Sequence, residues 1–544
     1  MITTETTLYI GLFLVAWWLV KVIKVVHSTR GQPGFVALIR PYSEIGQVCF
    51  PLHWRFNLGI ALVWTLKTDL YRKYNSNILV VPSLFPPVVT VLVADAQAIH
   101  QVNSDHEFFV KDPISNGSVA SLFGHSILTL EGAAWRRHRK VVVSAFSERN
   151  IAALWDTTVD TVERWMDETQ ARAGEGQAIV VNNTEHLWAA LALLIMGRSG
   201  FGIDFGWPFS PESPDLDAST ASQTAFYDAA SSILNNWIPF AFLPKFALRF
   251  LPLVNTLKHA VRGKQIFEKE LRHLVAKRVE EVRADGHDVL DARCDILTLL
   301  CRANVLLDAK SSLSDEELFS DAFIFLIAGH ETTAGTVTAI FALLSIYPAY
   351  QDAIFLEVST LLESGSNFTY SSAYRSLVVT LAVVQEGLRL AGPAQALLKK
   401  AVADTVLPSK TVAADGTLEE GNFVDIPRGA HVREHVQGVH YSNVWDDPTT
   451  FKPERYLEKG KNGEQMRAFL PFNSGARGCP GLEIVALVAS VVLKYRIQVP
   501  EDLKEEWNLR PGESENVRRD RVLKPLNFFA LAPQNVDLIF APRD

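Results

Sequence analysis

The sequence has few cysteines, no linker-like tract and no excess of positive charge. Only four of its 544 residues are cysteine, namely Cys49, Cys294, Cys301 and Cys479, which argues against a disulfide framework and indicates a reducing compartment. The net charge of −8 gives no overall attraction to nucleic acid, so no nucleic-acid partner is expected. Because no Pro/Gly/Ser-rich linker, low-complexity tract or repeat divides the chain, we expect one large domain instead of the roughly three or four that the length alone suggests.

Residues 1–30 contain an apolar run of the length expected for a membrane anchor. The segment from Leu8 to Val20 is apolar for 13 residues, and its continuation to Val26 admits only Lys21 and Lys24. A helix of that length spans about 28 Å, close to the thickness of the bilayer core. Both lysines lie near its end, where their side chains can reach the interface.

The charges that flank this run predict its orientation. Lys21, Lys24 and Arg30 follow the apolar core, whereas only Glu5 precedes it, so the chain after residue 30 should be cytosolic. A cleaved signal peptide is the alternative, but a basic leading region and a small-residue cleavage site are both missing. We therefore expect a single-pass anchor at 1–30 and one domain at 31–544, joined by a short hinge at Gln32-Pro33-Gly34.

A glycine-rich loop around a cysteine is the most informative stretch of the chain. Residues 472–481 read FNSGARGCPG, and the glycines at 475, 478 and 481 would let the backbone approach a flat partner closely. Cys479 stands where the loop becomes a helix, so unpaired N–H groups and the helix dipole would favour its thiolate, a strong metal ligand. The alternative is a surface turn with an incidental cysteine.

The order Phe472, Gly475, Arg477, Cys479, Gly481 resembles the haem-binding signature of cytochrome P450 monooxygenases. The resemblance implies that Cys479 is the axial ligand of the iron of haem b. It also places Phe472 and Gly475 in the cofactor-binding loop and makes Arg477 a partner of a haem propionate.

A second stretch predicts the longest helix. Ser314 and Glu317 form a capping box, and Asp315 and Glu316 load the first helical turn with negative charge. The helical pattern continues to Tyr347, which gives roughly 32 residues and about 48 Å. Such a helix would cross the whole domain.

Inside this helix, residues 328–335 read AGHETTAG. Threonine hydroxyls can bond back to helix carbonyls and bend the helix, so the residues alone predict a kink. The stretch also resembles the oxygen-binding groove of the same family. That resemblance implies that Thr332 holds and protonates the bound dioxygen and that Glu331 is the acidic part of a proton relay.

Trp135 and Arg139 are four residues apart and share one helix face. They resemble the family's Trp-x-x-x-Arg motif, which implies that both contact haem propionates. The neighbouring Arg136, Arg137 and Lys140 have two interpretations that the sequence leaves open: a solvated basic face, or a docking surface for an acidic electron donor.

Glu386 and Arg389 are three residues apart on one predicted helix face, a spacing that suits an ion pair. They resemble the family's Glu-x-x-Arg motif, and the segment FKPERY at 451–456 resembles the segment whose arginine joins that pair. Arg455 is therefore expected to bridge to Glu386 and Arg389.

The chain departs from the family after this motif. The arginine that often binds the second propionate is replaced by Lys399 or Lys400, and a lysine would bind as a point charge without bidentate geometry. His440 is a third candidate, with a surface histidine as the alternative.

The remaining chain predicts a mainly helical fold with a small β region. Helical periodicity dominates from 154 to 305, with amphipathic stretches at 155–170 and 258–283. Residues 78–81 and 88–93 predict a hairpin around a turn containing Pro82, Pro86 and Pro87. Residues 237–253 are rich in aromatics and interrupted by prolines, which suits either a membrane-interface segment or ordinary core packing.

The resemblance covers nearly everything after residue 40 and implies a membrane-anchored monooxygenase. By that resemblance, electrons from NADPH arrive through a flavoprotein reductase, and one atom of O2 enters a lipophilic substrate. The expected location is the endoplasmic reticulum membrane, with the catalytic domain in the cytosol. The alternatives are a haem-thiolate isomerase or dehydratase that needs no external electrons, a haem-based sensor or carrier, and a purely structural membrane protein.

The substrate is predicted only by class. Candidate pocket segments are apolar and aromatic, as suits a terpenoid, a steroid or a fatty acyl chain. They are residues 113–123, Phe325, residues 394–398 and residues 528–531. The stretch from Glu131 to Arg139 resembles fungal members that tailor secondary metabolites, so a terpenoid is the expected substrate.

Overall fold

The computed structural model describes residues 4–41, 67–112, 123–204, 229–230, 233, 255–284, 295–308, 310–394, 396–457, 463–475, 479, 484–523, 533 and 535–543. The α-helices in these ranges are α1 Thr4–Ser28, α2 Asp69–Lys73, α3 Ala96–Ser104, α4 Gly132–Val142, α5 Glu148–Ala173, α6 Thr184–Ile195, α7 Asn255–Ala284, α8 Ile296–Val305, α9 Asp315–Ile346, α10 Pro348–Glu363, α11 Tyr370–Ala373, α12 Val378–Ala391, α13 Val436–His440, α14 Gly463–Ala468, α15 Ile484–Lys494, α16 Lys504–Trp507 and α17 Glu515–Val522. Short 3-10 turns occur at Val143–Phe146, Pro453–Tyr456 and Glu501–Leu503, and one π-helical turn at Met196–Gly200.

The strands are shorter than the helices. They are β1 Ala37–Ile39, β2 Ile78–Phe85, β3 Val89–Val93, β4 Phe109–Lys111, β5 Ile179–Val181, β6 Ala396–Ala401, β7 Thr405–Val412, β8 Leu418–Ile426, β9 His431–His435, β10 Tyr495–Gln498 and β11 Leu538–Pro542. The described chain is therefore mainly α with a small β region, as the sequence predicts.

The chain divides into two compact units, each built from separated segments. The first unit comprises Met1–Asp112, Ala394–Phe451 and Glu458–Cys479, and the second comprises Pro113–Pro393, Lys452–Leu457 and Pro480–Asp544. The expectation of a single domain over 31–544 stays a prediction.

The first unit contains a six-stranded sheet in the order β1-β2-β3-β9-β6-β4, and a separate hairpin of β7 and β8. Strands β2 and β3 pair in antiparallel fashion from Ile78 opposite Val93, which confirms the predicted hairpin. The placement of Pro82 in its turn is wrong, because Pro82 lies within β2 opposite Val89. Proline cannot donate to the ladder, and the next residue supplies the bond instead, from Ser83 N–H to the Val88 carbonyl at 2.9 Å.

Helix α3 contacts strand β7 of the hairpin and begins at a strong cap. The Asp95 carboxylate accepts a hydrogen bond from the Ala98 N–H at 2.8 Å, which satisfies one of the orphan donors of the first turn. Ile99 and Val102 are fully buried. The same buried face carries Asn103 near the end of the helix.

The second unit is organised around α9. Its 32 residues begin after the N-cap Ser314, whose capping box with Glu317 is complete, so the predicted start, end and length of this helix are confirmed. Trp188 on α6 stacks on Phe341 of α9 with 4.9 Å between ring centroids, and Phe540 of β11 packs edge-on against both rings. This aromatic cluster buries the carboxyl-terminal half of α9.

Two helices are long and apolar enough to cross a membrane, by length and composition, within the described ranges. Asp315–Ile346 is mostly buried and is the core helix of the second unit, whereas the apolar window of Leu8–Ser28 has no buried residue. The side chain of Trp18 donates to the Leu84 carbonyl at 3.1 Å and stacks on Phe85 at 4.9 Å. The apolar amino-terminal helix thus contacts the end of β2.

The predicted hinge after this helix is bonded to the first unit. The Pro33 carbonyl accepts from the Val80 N–H at 2.8 Å, and the Gln32 side chain donates to Asp425 at 3.0 Å. The amphipathic stretches at 155–170 and 258–283 lie inside α5 and α7. The aromatic segment 237–253 lies outside the described residues.

Candidate active site

The cysteine loop of the first unit is closed by a backbone bond between its two ends. The Cys479 N–H donates to the Phe472 carbonyl at 2.8 Å. Between them, Asn473 and Gly475 have φ values of 64° and 72°, in the left-handed region that asparagine and glycine tolerate best. The loop therefore turns sharply and presents Cys479 exposed at its end.

This loop fits a haem held through sulfur. Among the described residues, the nearest atom to a Cβ added at Gly475 would be the Asn103 carbonyl oxygen at 3.8 Å, so the described chain leaves room on that side of the loop. The exposed thiol is the soft donor that haem iron accepts. Arg477 and Gly481 lie outside the described residues, and their roles stay predictions.

The threonines of α9 bond back to the helix as expected. Thr332 Oγ1 donates to the Ala328 carbonyl at 2.6 Å, and Thr336 Oγ1 donates to the Thr332 carbonyl at 2.7 Å. Each hydroxyl uses its single proton in this way and keeps lone pairs with which it can accept. Thr332 is partly exposed, so its oxygen is able to accept from a bound group.

Glu331 precedes this threonine and is poorly solvated. Its Oε2 is buried and has no hydrogen-bond partner in the described part of the chain. Burial, together with the like charge of Glu185 on α6, raises the pKa of Glu331 to about 7. This carboxyl therefore exchanges its proton in the neutral pH range.

The turn before Glu331 is tightly packed. A Cβ added at Gly329 would lie 2.8 Å from Met196 Sδ, which belongs to the π-helical turn that follows α6. His330 is buried, and burial lowers its pKa to about 4. The ring is thus neutral at physiological pH, and the sequence analysis did not single out either Met196 or His330.

Helix α4 carries the Trp-x-x-x-Arg pair. Trp135 is buried, and the Arg139 guanidinium lies 5.5 Å from the centroid of its ring. The two side chains therefore lie together on one helix face, as the spacing requires. The assignment of both to haem propionates stays a prediction.

The other basic residues of α4 do not form one uniform surface. Arg137 is paired with Glu317 of α9 and donates to the Ser312 carbonyl at 3.4 Å, so it is occupied within the second unit. Arg136 and Lys140 are exposed. Of the three predicted basic-face residues, these two are the ones that face solvent.

A buried histidine on α4 was missed by the sequence analysis. His138 Nδ1 lies 2.7 Å from Asp321 Oδ2 on α9, and Asp321 Oδ1 accepts from the Ile127 N–H at 2.7 Å. Both side chains are fully buried. Little in the sequence indicates that His138 is buried, because a histidine within a basic run is more typical of a solvated helix face.

The Glu-x-x-Arg residues form a buried network on α12. Arg389 binds Glu386 through two parallel hydrogen bonds of 2.8 Å. Arg455 Nε lies 3.2 Å from Glu386 Oε1, which also accepts from the Lys452 N–H at 2.9 Å. The structure therefore brings together Glu386, Arg389 and Arg455, with Glu386 at the centre.

The three candidates for the second propionate differ in their surroundings. His440 is buried, and its Nε2 accepts from the Leu470 N–H at 3.0 Å, so the alternative of a surface histidine is wrong. Lys399 is buried, whereas Lys400 is partly exposed. The positive charge of Lys399 lowers the pKa of the buried Glu434 and opposes the effect of burial.

Only part of the predicted substrate pocket is described. Phe325 on α9 packs against Phe146 with 5.7 Å between ring centroids. Residues 113–122, 395 and 528–531 lie outside the described residues. Their place in a pocket stays a prediction.

Sequence reasoning also missed two polar residues beside the cysteine loop. Asn103 of α3 and Glu434 of β9 are both buried and share a hydrogen bond of 3.1 Å. The signal that could have found them is the polar run from Arg433 to His435 within a segment bounded by apolar residues. Charged residues are almost never fully buried without a partner.

Comparisons with known proteins identify the family of the chain. The family model described as Cytochrome P450 matches residues 67–511. The chain is 29% identical over 497 residues to cytochrome P450 monooxygenase 124 of Postia placenta, with 90% of each chain covered. It is 26% identical to the phomenoic acid biosynthesis cluster cytochrome P450 monooxygenase of Leptosphaeria maculans, over 74% of this chain and 73% of that one.

A solved structure shows the same fold. The crystal structure of the cytochrome P450DA heme domain superposes with a TM-score of 0.67 at 18% sequence identity, covering 94% of this chain and 98% of that one. The predicted fold is therefore confirmed.

Because the family model spans most of the sequence, the chain belongs to the cytochrome P450 family. It is a monooxygenase of that family, and its cofactor is haem b. Family membership further implies a lipophilic substrate, O2 and a redox partner.

Proposed function

We propose that this protein is a membrane-anchored monooxygenase that receives electrons from an NADPH-dependent flavoprotein reductase and oxidises a terpenoid or a related secondary metabolite. The observation that carries the proposal is the closed loop that presents Cys479 exposed at its end. The acid and alcohol pair on α9, Glu331 and Thr332, adds the proton-handling groups that oxygen cleavage requires.

Cys479 would hold the haem iron through its sulfur, and Trp135, Arg139 and Arg477 would bind the propionates. When bound, the haem-thiolate group supplies the activation of O2 and of an unactivated C–H bond. For the second propionate we favour Lys399, because it is buried and because the ring of His440 is already engaged by the Leu470 N–H.

Glu331 and Thr332 would control the protons. A carboxyl with a pKa of about 7 can give up and regain a proton at the pH of the cytosol, which is the condition for an efficient relay. Thr332 can accept a hydrogen bond while its own proton is held by the Ala328 carbonyl. Together they would deliver protons from Glu331 towards the oxygen and hold that oxygen in place.

The amino-terminal helix α1 would anchor the protein in the endoplasmic reticulum membrane, with the catalytic part in the cytosol. The exposed apolar surface from Leu8 to Ser28 supports the anchor, and the positive charges at Lys21, Lys24 and Arg30 support the orientation. Arg136 and Lys140 are the exposed cations of α4 that an acidic reductase surface would meet.

The substrate assignment rests on the apolar and aromatic character of the candidate pocket residues, such as Phe325, and on the fungal relatives. One of these relatives is named for a biosynthesis cluster, which supports a tailoring role in secondary metabolism.

The ligand assignment is tested with two matched cysteine variants. We expect Cys479→Ala to lose the red-shifted carbon monoxide spectrum of the reduced haem, while Cys301→Ala keeps it, because Cys301 is buried within α8. An unchanged spectrum in Cys479→Ala would refute the assignment.

The reaction is tested by coexpression with a reductase. Product from candidate terpenoid, steroid and fatty acid substrates should require both NADPH and O2. Product that forms without them would identify an isomerase or a dehydratase, and haem binding with no NADPH consumption on any substrate would identify a sensor or carrier.

A further inference from the structure

A carboxylic acid is buried in the centre of the six-stranded sheet. Glu434 of β9 lies opposite Val93 of β3 on one side and Leu397 of β6 on the other, and it is fully buried. Its Oε1 has no hydrogen-bond partner in the described chain. Burying an ionised carboxylate without a partner destabilises the folded state by several kcal/mol. The presence of Glu434 therefore calls for an explanation beyond packing.

The other oxygen of this acid is bound to the end of α3. Asn103 Nδ2 lies 3.1 Å from Glu434 Oε2, and the same nitrogen lies 2.7 Å from Asn473 Oδ1 and 3.4 Å from Ser474 Oγ. An amide nitrogen has only two protons, so the two short contacts use both. The Asn103 amide thereby connects the sheet to the beginning of the cysteine loop.

Asn473 is held by three features of the described part of the loop. Its backbone is in the left-handed region, its N–H donates to the Leu470 carbonyl at 3.1 Å, and its side chain accepts from the Ser474 N–H at 2.7 Å. Asn473 directly follows Phe472, whose carbonyl accepts the bond from Cys479 that closes the loop. A shift of Asn473 would therefore move the carbonyl that orients Cys479.

Lys399 is the charged group that acts on Glu434 in the part of the chain that the structure describes. Lys399 on β6 attracts its carboxylate and Asn103 on α3 binds it, but burial outweighs both and raises the pKa of Glu434 to about 7. Arg433 and His435 are its neighbours on β9, and their side chains alternate to the opposite face of the strand. The register partner on β3 is the apolar Val93.

We propose that Asn103 and Glu434 are positioning residues for the haem thiolate: the buried acid orients the Asn103 amide, and the amide fixes the arm of the loop that leads to Cys479. This inference rests on the proposed role of Cys479 as iron ligand. Groups that orient a metal ligand tune the metal as well as hold it. Loss of the contact should weaken sulfur donation, which raises the reduction potential of the haem and frees the thiolate more readily.

The test uses the full-length, haem-loaded protein in detergent and three variants. Asn103→Leu removes the amide, and Glu434→Leu removes the accepting oxygens while keeping a side chain of similar size. Asn473→Gly removes the accepting side chain and still permits a positive φ. We expect each variant to have a higher midpoint reduction potential and to lose the red-shifted carbon monoxide spectrum about tenfold faster on mild warming, within the usual effect of residues that orient a metal ligand.

Matched controls exist for each change. Ser104→Ala alters the exposed neighbour of Asn103, and Glu419→Leu replaces an exposed acid of β8 in the same unit. Asn75→Gly repeats the third substitution at another exposed asparagine with positive φ. These controls should keep the potential and the rate of the parent protein.

Parent-like potentials and rates in Glu434→Leu and Asn473→Gly would overturn the inference, and these two variants decide it even where Asn103→Leu does not load haem. The assignment of Cys479 as iron ligand is tested independently of this inference. If Cys479→Ala loses the red-shifted spectrum while the positioning variants behave like the parent, only the inference about Asn103 and Glu434 fails.

Discussion

Glu331 is an acid whose charge state changes near neutral pH. Its pKa is raised to about 7 by burial and by Glu185, so it is mainly protonated below that pH and mainly ionised above it. If the protonated form supplies the proton for oxygen cleavage, the product formed per NADPH should fall, and peroxide should rise, as the pH increases through about 7. In Glu331→Gln this inflection should disappear and coupling should be low throughout.

The measurement is the ratio of product and peroxide to NADPH between about pH 6 and 8.5, a range that brackets the pKa. Glu316→Gln, at an exposed acid in the first turn of the same helix, is the control and should keep the inflection. The same inflection in Glu331→Gln would assign the titration to another group.

Gly329 of α9 has little room for a side chain. A Cβ there would lie 2.8 Å from Met196 Sδ and 3.1 Å from its Cγ, so the methionine must move. We expect Gly329→Ala to destabilise the protein by about 1–3 kcal/mol, the usual cost of overpacking. The measurement is denaturant unfolding of the haem-loaded protein.

Combining Gly329→Ala with Met196→Ala should recover part of this loss, because the clash and the cavity then offset each other. Gly11→Ala on α1 is the control, since no atom lies within 4 Å of its added Cβ. If Gly329→Ala and the parent unfold with equal free energies, the Met196 side chain can move aside without destabilising the protein.

Glu386 joins two elements, helix α12 and the 3-10 turn Pro453–Tyr456. It is fully buried and binds Arg389, Arg455 and the Lys452 N–H. Glu386→Gln would remove the negative charge that binds two buried guanidinium groups, and the expected loss of folding free energy is about 3–5 kcal/mol. We expect reduced haem retention and a lower midpoint of thermal unfolding.

Glu363→Gln is the matched control for this prediction, because Glu363 is the exposed last residue of α10. It should behave like the parent. A Glu386→Gln protein as stable as the parent would mean that the two arginines find other acceptors.

Local signals predicted the elements well and long-range contacts poorly. The capping box at Ser314 determines where α9 begins, and it is read from four adjacent residues. Pro82 was misplaced because its tolerance within β2 depends on the pairing of Ser83 with Val88. A prediction based on composition takes account of the proline but not of this pairing.

The residues of the candidate site also fall into those predicted from local motifs and those brought together by long-range contacts. Cys479, Thr332 and Glu331 were found because their motifs are contiguous in the chain. Asn103 and Glu434 are separated by more than three hundred positions, and nothing local to either indicates that they meet. Only the sheet register, which the sequence does not state, brings them together.

The whole molecule is attached to the membrane, on our proposal, through α1. This helix is exposed over its apolar length and contacts the first unit through Trp18, Leu84 and Phe85. The ring of Trp17 lies 3.8 Å from Lys21 Nζ. Lys21 and Lys24 lie in the last turns of the helix, so on this proposal the carboxyl-terminal end of α1 is the cytosolic end.

Deletion of residues 1–28 should therefore release the protein without damaging its site. The bonds of Gln32 and Pro33 to the first unit remain in the shortened chain, so the fold should persist. We expect the truncated protein in the supernatant after ultracentrifugation, with the red-shifted carbon monoxide spectrum of the full-length protein. Full-length Trp18→Ala, as control, should stay in the membrane fraction. A truncated protein that still pelleted with membranes would require a second attachment, for which the aromatic, proline-interrupted segment 237–253 is the first candidate.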